Sequence, residues 1–463
     1  MSDKPTIAIT FPNHWSIKNL IHSGLLAEIT PHVHVIGLTA QHRIVHLKKL
    51  CTELGLSEVD WQPIPMYKEG WLLRMVRQSQ KSLLFEKHGL ATEKILKSSK
   101  RGRRTLVQKI GSTLFSLIAG TGFGKSLFEK FSRLRYSETE PASLILDHLP
   151  DVLFCTNPVD YREDALVKWA KTLGIRVVTM IPSWDNLSSK GVLFTKFDAV
   201  YVWNKAMQSE MLKLYPEYPH WEIPIVGIPR LQAFSNPLPS EWERDSYLIR
   251  LGLDPSKKTI LFANTATSSF PDQPVVARQI ASAIQYGEIC NVQMIVRCHP
   301  HDQIEDYDDL RRLPNVRVWP SIGEPAFGVQ TVPPADDLLQ LHAVLNACDV
   351  CVNTASTIVL DAAAMDLPIV SVAYDGERTL PYTDSCKSFY NYTHQRTYLA
   401  SNAGVFCETR QELVREIEKA LDDRSIRSQG RKELVEKCLH PDPVLALKEE
   451  LLKELNVRLD KAA

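Results

Sequence analysis

Val350-Cys-Val-Asn-Thr-Ala-Ser-Thr-Ile-Val-Leu-Asp361 holds a strand, a polar turn and the start of a helix in one short run. Val350 to Val352 is apolar without alternation, the pattern of a strand covered on both faces. The polar turn after it ends in Ser356 and Thr357, residue types that cap helices. The same grammar spreads outward. Pro368 to Ala373 reads as the next strand, and Asp336 to Ala347 as the helix before. Thr259 to Asn264, Val292 to Arg297 and Val316 to Trp319 read as further strands. The first half repeats it with strands at Thr6 to Thr10, His32 to Leu38, Asp151 to Thr156, Arg176 to Ile181 and Asp198 to Trp203. Helices fit between, at Ser16 to Ile29, Ile44 to Leu54 and Arg162 to Leu173. Strand and helix in regular alternation predict a parallel sheet covered on both faces.

The rhythm breaks from Pro229 to Lys257, which contains Pro237-Leu-Pro239 and Pro255 and has no long apolar period. The expected organisation is therefore α/β, with two Rossmann-like doubly wound domains facing across a cleft. Residues 1–230 form the first domain, with a basic helical insertion at about 68–140. Residues 231–257 form a linker, 258–440 the second domain, and 441–463 a C-terminal helix.

Composition agrees. A chain of 463 residues exceeds the roughly 100–200 residues of one domain. Apolar residues are 44% and charged residues 23%, which excludes a disordered chain, a collagen-like repeat and a coiled-coil rod. Net charge is zero but uneven: Lys68 to Arg135 holds 16 Lys/Arg against 4 Asp/Glu, a net of +12. Such asymmetry predicts a face that meets something anionic. The nine cysteines are scattered without framework spacing, and Cys348-Asp-Val-Cys351 reads as buried structural thiols sooner than as a redox or zinc pair. No apolar run reaches membrane-spanning length, and Met1-Ser-Asp-Lys-Pro5 leads straight into a strand. A cytoplasmic protein is expected, with peripheral association on the inner face of the cell membrane through the basic segment.

In open parallel sheets, ligands bind beyond the carboxyl ends of the strands. Asn353 to Thr357 lies at such an end, where Ser356 and Thr357 can cap the helix and free N–H groups can face a phosphate. Asp361, just over one turn in, can accept from ribose hydroxyls. Arg297 and His299 close the preceding βα unit, a planar fork and a ring donor for a phosphate. Ile181-Pro-Ser-Trp-Asp-Asn-Leu-Ser-Ser-Lys-Gly191 crowds Ser183, Trp184, Asp185 and Asn186 into one loop. Phe11-Pro-Asn-His-Trp15 places Asn13 and His14 after the first strand, with His14 a candidate general base. Each has an ordinary reading beside the functional one: a plain helix cap, a surface arginine with a turn histidine, a solvated loop histidine.

These residues carry a resemblance. Trp184-Asp-Asn-Leu-Ser-Ser-Lys-Gly191 is similar to a "WDNLTSKG" loop of GT-B glycosyltransferases in the bacterial branch related to CDP-glycerol glycerophosphotransferases and UDP-N-acetylglucosamine 2-epimerases. Val202-Trp-Asn204, Val226-Gly-Ile-Pro-Arg230, Arg297-Cys-His-Pro300, Ser356-Thr-Ile-Val-Leu-Asp361 with Pro368-Ile-Val, and Tyr390-Asn-Tyr-Thr-His394 resemble later elements of that branch. The resemblance covers roughly 1–60 and 140–440. It implies a glycosyltransferase that moves a sugar or polyol phosphate from a nucleotide-diphosphate donor, UDP- or CDP-linked, to a cell-envelope or polysaccharide acceptor. The alternative is a sugar-nucleotide epimerase or hydrolase of the same architecture. The donor would lie along Arg297, His299, Asn353, Ser356, Thr357 and His394, with Asp361 at the ribose. The glycan or lipid-linked acceptor would meet Asn13, Ser183, Trp184, Asn186 and Arg230, with His14, or in reserve Asp185, as the catalytic base. The implied chemistry uses no tightly bound cofactor and no metal, because a helix dipole with Arg and His stabilises the leaving diphosphate. No nucleic-acid-binding pattern is present.

The segment 68–135 lies outside the resemblance. Ala119-Gly-Thr-Gly-Phe-Gly-Lys125-Ser126 fits a relaxed P-loop spacing but lacks a βαβ frame, so a glycine hinge is the favoured reading. Trp71-Leu-Leu-Arg-Met-Val-Arg77 interleaves apolar and basic residues, which suits either an interfacial membrane helix or a basic face over the protein's own core.

Overall fold

The computed structural model describes residues 4–56, 58–64, 71–99, 147–193, 195–299, 302–320 and 332–462. The chain divides into two compact units, Met1–Pro229 with His440–Ala463, and Arg230–Leu439.

Unit 1 is built on a six-stranded sheet, β1 (Thr6–Thr10), β2 (His34–Thr39), β3 (Val59–Pro63), β4 (Val152–Cys155), β5 (Arg176–Met180) and β6 (Ala199–Tyr201), in the order β3-β2-β1-β4-β5-β6. Every pairing is parallel, with Thr6 opposite His34 and Ile7 opposite Val152. The order reverses between β1 and β4, which makes their carboxyl ends the topological switch point. β3 escaped the sequence reading because Val59-Asp-Trp-Gln-Pro63 is short, mixed and at the edge. Its Trp61 lies flat on β2 where Gly37 leaves room: a Cβ at Gly37 would stand 2.5 Å from Trp61 Cε3. The helix expected over Ser16 to Ile29 is three pieces, His14–Ile17, a π-helical turn Lys18–His22, and Leu25–Ile29. Gly24, at φ 87°, makes the break, so Ile17, Leu20, Leu25 and Ile29 all reach the core.

Within the basic insertion, helices Trp71–Lys87 and Ala91–Ser98 are described, and Phe85 and Leu90 are buried. Lys81 donates to the carbonyl of Ser189, and to that of Lys190 at 3.3 Å. The Arg77 guanidinium lies over the Tyr161 ring, 5.1 Å from its centroid. These two cations thus turn onto other parts of unit 1. The glycine-rich run 119–126 and the rest of 100–135 lie outside the described residues.

The last helix, Pro443–Ala462, belongs to unit 1 and is no separate appendage. Lys448 reaches Glu28 at 2.8 Å and Glu454 pairs with Arg176. Gly227 is packed against His440, where a Cβ would run into the histidine Cβ.

Unit 2 repeats the plan: β7 (Lys258–Ala263), β8 (Val292–Cys298), β9 (Val316–Pro320), β10 (Val350–Asn353), β11 (Ile369–Val372) and β12 (Gly404–Cys407), in the order β12-β11-β10-β7-β8-β9, all parallel. Phe262, Met294, Val350, Val352 and Val370 line its core with Val276 and Ile280 of the Gln273–Gln285 helix. β12 was missed because it opens on a glycine; Gly404 is required where Tyr398 Oη approaches. The stretch read as a linker is folded within unit 2. Helix Arg244–Arg250 buries Tyr247 and Leu248, and Arg244 bonds to Lys257 O and Asp349 at 3.1 Å. A helix this short shows no long apolar period. The buried cysteine pair is ordinary: Cys348 and Cys351 are free thiols in the core.

No helix among the described residues is long and apolar enough to cross a membrane.

Candidate functional site

In unit 2 the switch point falls between β7 and β10. Parallel register sets Arg297, Ala263, Asn353 and Ser371 in one row across the carboxyl edge. Arg297 and Asn353 are thus two strands apart, about 10 Å at the usual strand spacing. The Arg297 Nε is sealed without a hydrogen-bond partner. Burial pulls the guanidinium pKa down, and the carboxylates of Asp337 and Asp361 act against that. Asn353 is fully buried, its Oδ1 without a hydrogen-bond partner.

The loop after β10 departs from expectation. Thr357 is the N-cap residue of the Ile358–Ala364 helix, but its side chain makes no cap hydrogen bond. Ser356 and Thr357 are half-buried. The turn is shaped instead by Ala355, at φ 43°, whose N–H donates to Tyr390 Oη at 3.0 Å.

Arg230 and Asp361 meet each other. Arg230 falls in unit 2, whereas Asn13, Ser183, Trp184 and Asn186 fall in unit 1. Its guanidinium is bidentate to Asp361, Nη1 to Oδ1 and Nη2 to Oδ2, the latter at 3.3 Å. The side chains are 3% and 4% exposed. The carboxylate expected at a ribose therefore has both oxygens facing an arginine that lies far away in sequence.

His299 is positioned through its backbone: its N–H donates to Asp302 Oδ2 at 2.8 Å. Asp302 also accepts from Asn264 Nδ2 at 2.6 Å and from the Thr267 hydroxyl. Burial raises the Asp302 pKa, and those same donors hold it back. Asn264 and Thr267 were missed, although Asn264-Thr-Ala-Thr-Ser-Ser269 is a polar run after a strand like those singled out. His394 is half-buried, its ring centroid 6.0 Å from that of Tyr392.

In unit 1, Thr10 and Thr156 join β1 to β4. Thr156 N–H donates to Thr10 Oγ1 at 2.9 Å, and the Thr156 hydroxyl to Thr10 O at 2.8 Å. The two threonine hydroxyl oxygens stand 3.4 Å apart. Glu163 Oε2 accepts from Asn157 N–H at 3.1 Å, while Oε1 has no hydrogen-bond partner. Glu163 is 1% exposed. Burial, with Asp160 nearby, pushes its pKa up to about 8, so it is a neutral acid at pH 7. The sequence hid it: Tyr161-Arg-Glu-Asp164 reads as a solvated helix start.

The other residues of unit 1 fall at the same edge. Asn13 is an N-cap, its Oδ1 accepting from Trp15 N–H at 2.9 Å and Ser16 N–H at 3.2 Å. His14 opens that helix with its ring beside Trp15, centroids 5.3 Å apart. The buried Arg43 donates to Pro12 O at 2.6 Å and steadies the loop. Ser183 and Asp185 are half-buried, and Trp184 and Asn186 are buried. Asp185 pairs with Lys190 at 3.3 Å across the π-helical turn Asn186–Lys190.

No family model matches the chain, and no curated protein matches it in sequence. Solved structures match in shape along nearly the whole chain. A glycosyltransferase from Rickettsia africae is 9% identical at a TM-score of 0.51, covering 99% of each chain. A UDP-GlcNAc 2-epimerase from Methanocaldococcus jannaschii, in complex with UDP-GlcNAc and UDP, is 11% identical at 0.53, covering 97% of this chain and 99% of its own. One from Neisseria meningitidis bound to UDP-GlcNAc is 9% identical at 0.53, covering 97% of this chain and 100% of its own. Two doubly wound parallel sheets, matched from end to end by these structures, give the chain the GT-B fold.

Proposed function

We propose that the chain is a nucleotide-sugar enzyme: a glycosyltransferase that moves a sugar or polyol phosphate from a UDP- or CDP-linked donor to a cell-envelope or polysaccharide acceptor. The observation that carries the reading is the row at the carboxyl edge of unit 2, where Arg297 and Asn353 flank the switch point with sealed, unpartnered polar atoms. The diphosphate lies along Arg297, His299, Ser356 and Thr357, with His394 at the rim. The acceptor lies at the carboxyl edge of unit 1, against Asn13, Ser183, Trp184 and Asn186. Neighbours in shape that hold UDP-GlcNAc and UDP support a nucleotide-sugar ligand.

In the reaction, the acceptor hydroxyl gives its proton to His14, and its oxygen bonds to the transferred group. For a sugar, the bond from its anomeric carbon to the diphosphate breaks and the electron pair leaves on the nucleoside diphosphate; for a polyol phosphate, the bond inside the diphosphate breaks and the pair leaves on the nucleoside monophosphate. Arg297 and His299 stabilise that charge without a metal. Asp185 is the reserve base.

The second reading is a sugar-nucleotide epimerase, favoured by neighbours that carry that name. Incubation with nucleotide sugar alone separates the two. Epimerisation or hydrolysis without acceptor supports the second; a stable donor consumed only with acceptor supports the first. A thermal-shift screen over UDP, CDP, GDP and their sugars identifies the base, because a ligand that binds the folded state raises Tm. Absence of any shift would overturn both readings.

Residues 68–135 dock the enzyme on an anionic leaflet in this reading, at about 1 kcal/mol for each engaged Lys or Arg. Arg77 and Lys81 take no part, since both turn inward. Failure to co-sediment with anionic vesicles at low salt would remove that proposal alone.

A further inference from the structure

The turn after β10 rests on an alanine in the left-handed region, at φ 43°. An L residue with a Cβ enters that region at a cost, and Asn or Asp tolerates it better. Among the described residues Asn291, Asp366 and Asn402 follow that preference; Ala355, like Leu149 and Arg427, does not. Such a conformation persists where the surroundings over-determine it.

The surroundings here are one segment. Ala355 N–H donates to Tyr390 Oη at 3.0 Å, and Tyr390 Oη donates to Val372 O at the end of β11 at 2.7 Å. Gln395 Nε2 donates to Ala355 O at 3.1 Å. Both polar groups of Ala355 are thus held from Tyr390 and Gln395, which are 4% and 1% exposed. The phenol also ties the turn to the neighbouring strand. Ser356 and Thr357 come directly after and are half-buried, and Thr357 makes no cap bond.

We infer that Tyr390 and Gln395 are positioning residues for nucleotide binding: they clamp Ala355 in its left-handed conformation and so aim the backbone and hydroxyls of Ser356 and Thr357 at the donor diphosphate. The inference rests on unit 2 as the donor half. It accounts for the segment Tyr390-Asn-Tyr-Thr-His394 through the buried Tyr390, which fixes the loop after β10.

The test is calorimetric binding of UDP and CDP to the full chain. Tyr390→Phe removes one hydroxyl and leaves the ring packed on Phe406, centroids 4.8 Å apart. Affinity is expected to fall about threefold to tenfold, the scale of one hydrogen bond. Gln395→Leu is expected to lose as much. Adding Ala355→Gly to Tyr390→Phe restores most of the affinity, because glycine takes positive φ without a clamp. A merely structural role for the phenol would not be rescued that way. Amide exchange across 354–357 without nucleotide is expected to quicken in Tyr390→Phe. Unchanged affinity in Tyr390→Phe, or loss that Ala355→Gly does not rescue, overturns the clamp. A wild-type chain that binds neither nucleotide overturns instead the donor reading, and the positioning role with it.

Discussion

The two sheets share one strand order, yet their carboxyl edges are made of different chemistry. At the switch point of unit 1 stand Thr10 and Thr156, hydrogen-bonded to each other across β1 and β4, and the neutral Glu163, which accepts from the Asn157 N–H. At that of unit 2 stand Arg297 and Asn353 with sealed polar atoms, and near them an Arg230–Asp361 pair. An edge rich in hydroxyls and a suppressed charge suits an uncharged sugar hydroxyl. An edge with arginines and unpartnered polar atoms suits a diphosphate. The difference lies in the loop residues placed after each strand, and the fold itself is indifferent to it.

The contrast can be broken most sharply at His14. His14→Ala is expected to lower turnover by roughly 10²–10⁴ with donor affinity intact, the range for a general base. Near-normal turnover would move the role to Asp185.

The buried pair of unit 2 comes next. Arg230→Met strips the buried Asp361 of its bidentate partner, and urea unfolding should show a loss of about 3–5 kcal/mol. Arg230→Met with Asp361→Leu should recover much of that loss. A double variant as unstable as the single would mean that the pair's packing, and not its charge, stabilises unit 2.

Arg297→Ala should weaken nucleotide-diphosphate binding by about 1.5–3 kcal/mol, the scale of a charged hydrogen bond. Wild-type affinity in the variant would remove Arg297 from the donor site.

The pH-dependent effect sharpens unit 1. Glu163 holds its proton up to about pH 8 when folded and releases it near the usual 4.5 when unfolded. The folded state binds the extra proton, so this contribution is full below pH 4.5 and is lost as pH rises toward 8. The slope is on the order of 1 kcal/mol per pH unit. Glu163→Gln has no such proton, so its Tm relative to wild type should climb from pH 5 to 8 and then level off. A constant difference would show an ionised Glu163.

How much the sequence made legible depends on range. Buried parallel strands such as Val350 to Val352 are continuous apolar runs, and the residues after them fall at the carboxyl edge by topology alone. Edge strands escape, because Val59-Asp-Trp-Gln-Pro63 is half wet and Gly404 opens its strand with no side chain. Long-range pairing escapes as well. Nothing local says that Arg230 will meet Asp361, or that the phenol of Tyr390 will support Ala355. Glu163 was hidden by its neighbours, since a charge among charges reads as surface until a fold buries it.

The return of the Pro443–Ala462 helix to unit 1 bears on the order in which the chain can fold as it is made. Unit 2 is one continuous segment and is whole once Leu439 has emerged. Unit 1 begins first and finishes last. Its first strands emerge before any of unit 2, yet the helix that meets Glu28, Arg176 and Gly227 arrives only after more than two hundred further residues. At the roughly 5–20 residues per second of synthesis, that seat stays open for on the order of ten seconds or more. The nascent first unit is thus the part of this protein most exposed to wrong contacts, and a chain cut short after Leu439 would leave unit 2 entire and unit 1 unsealed.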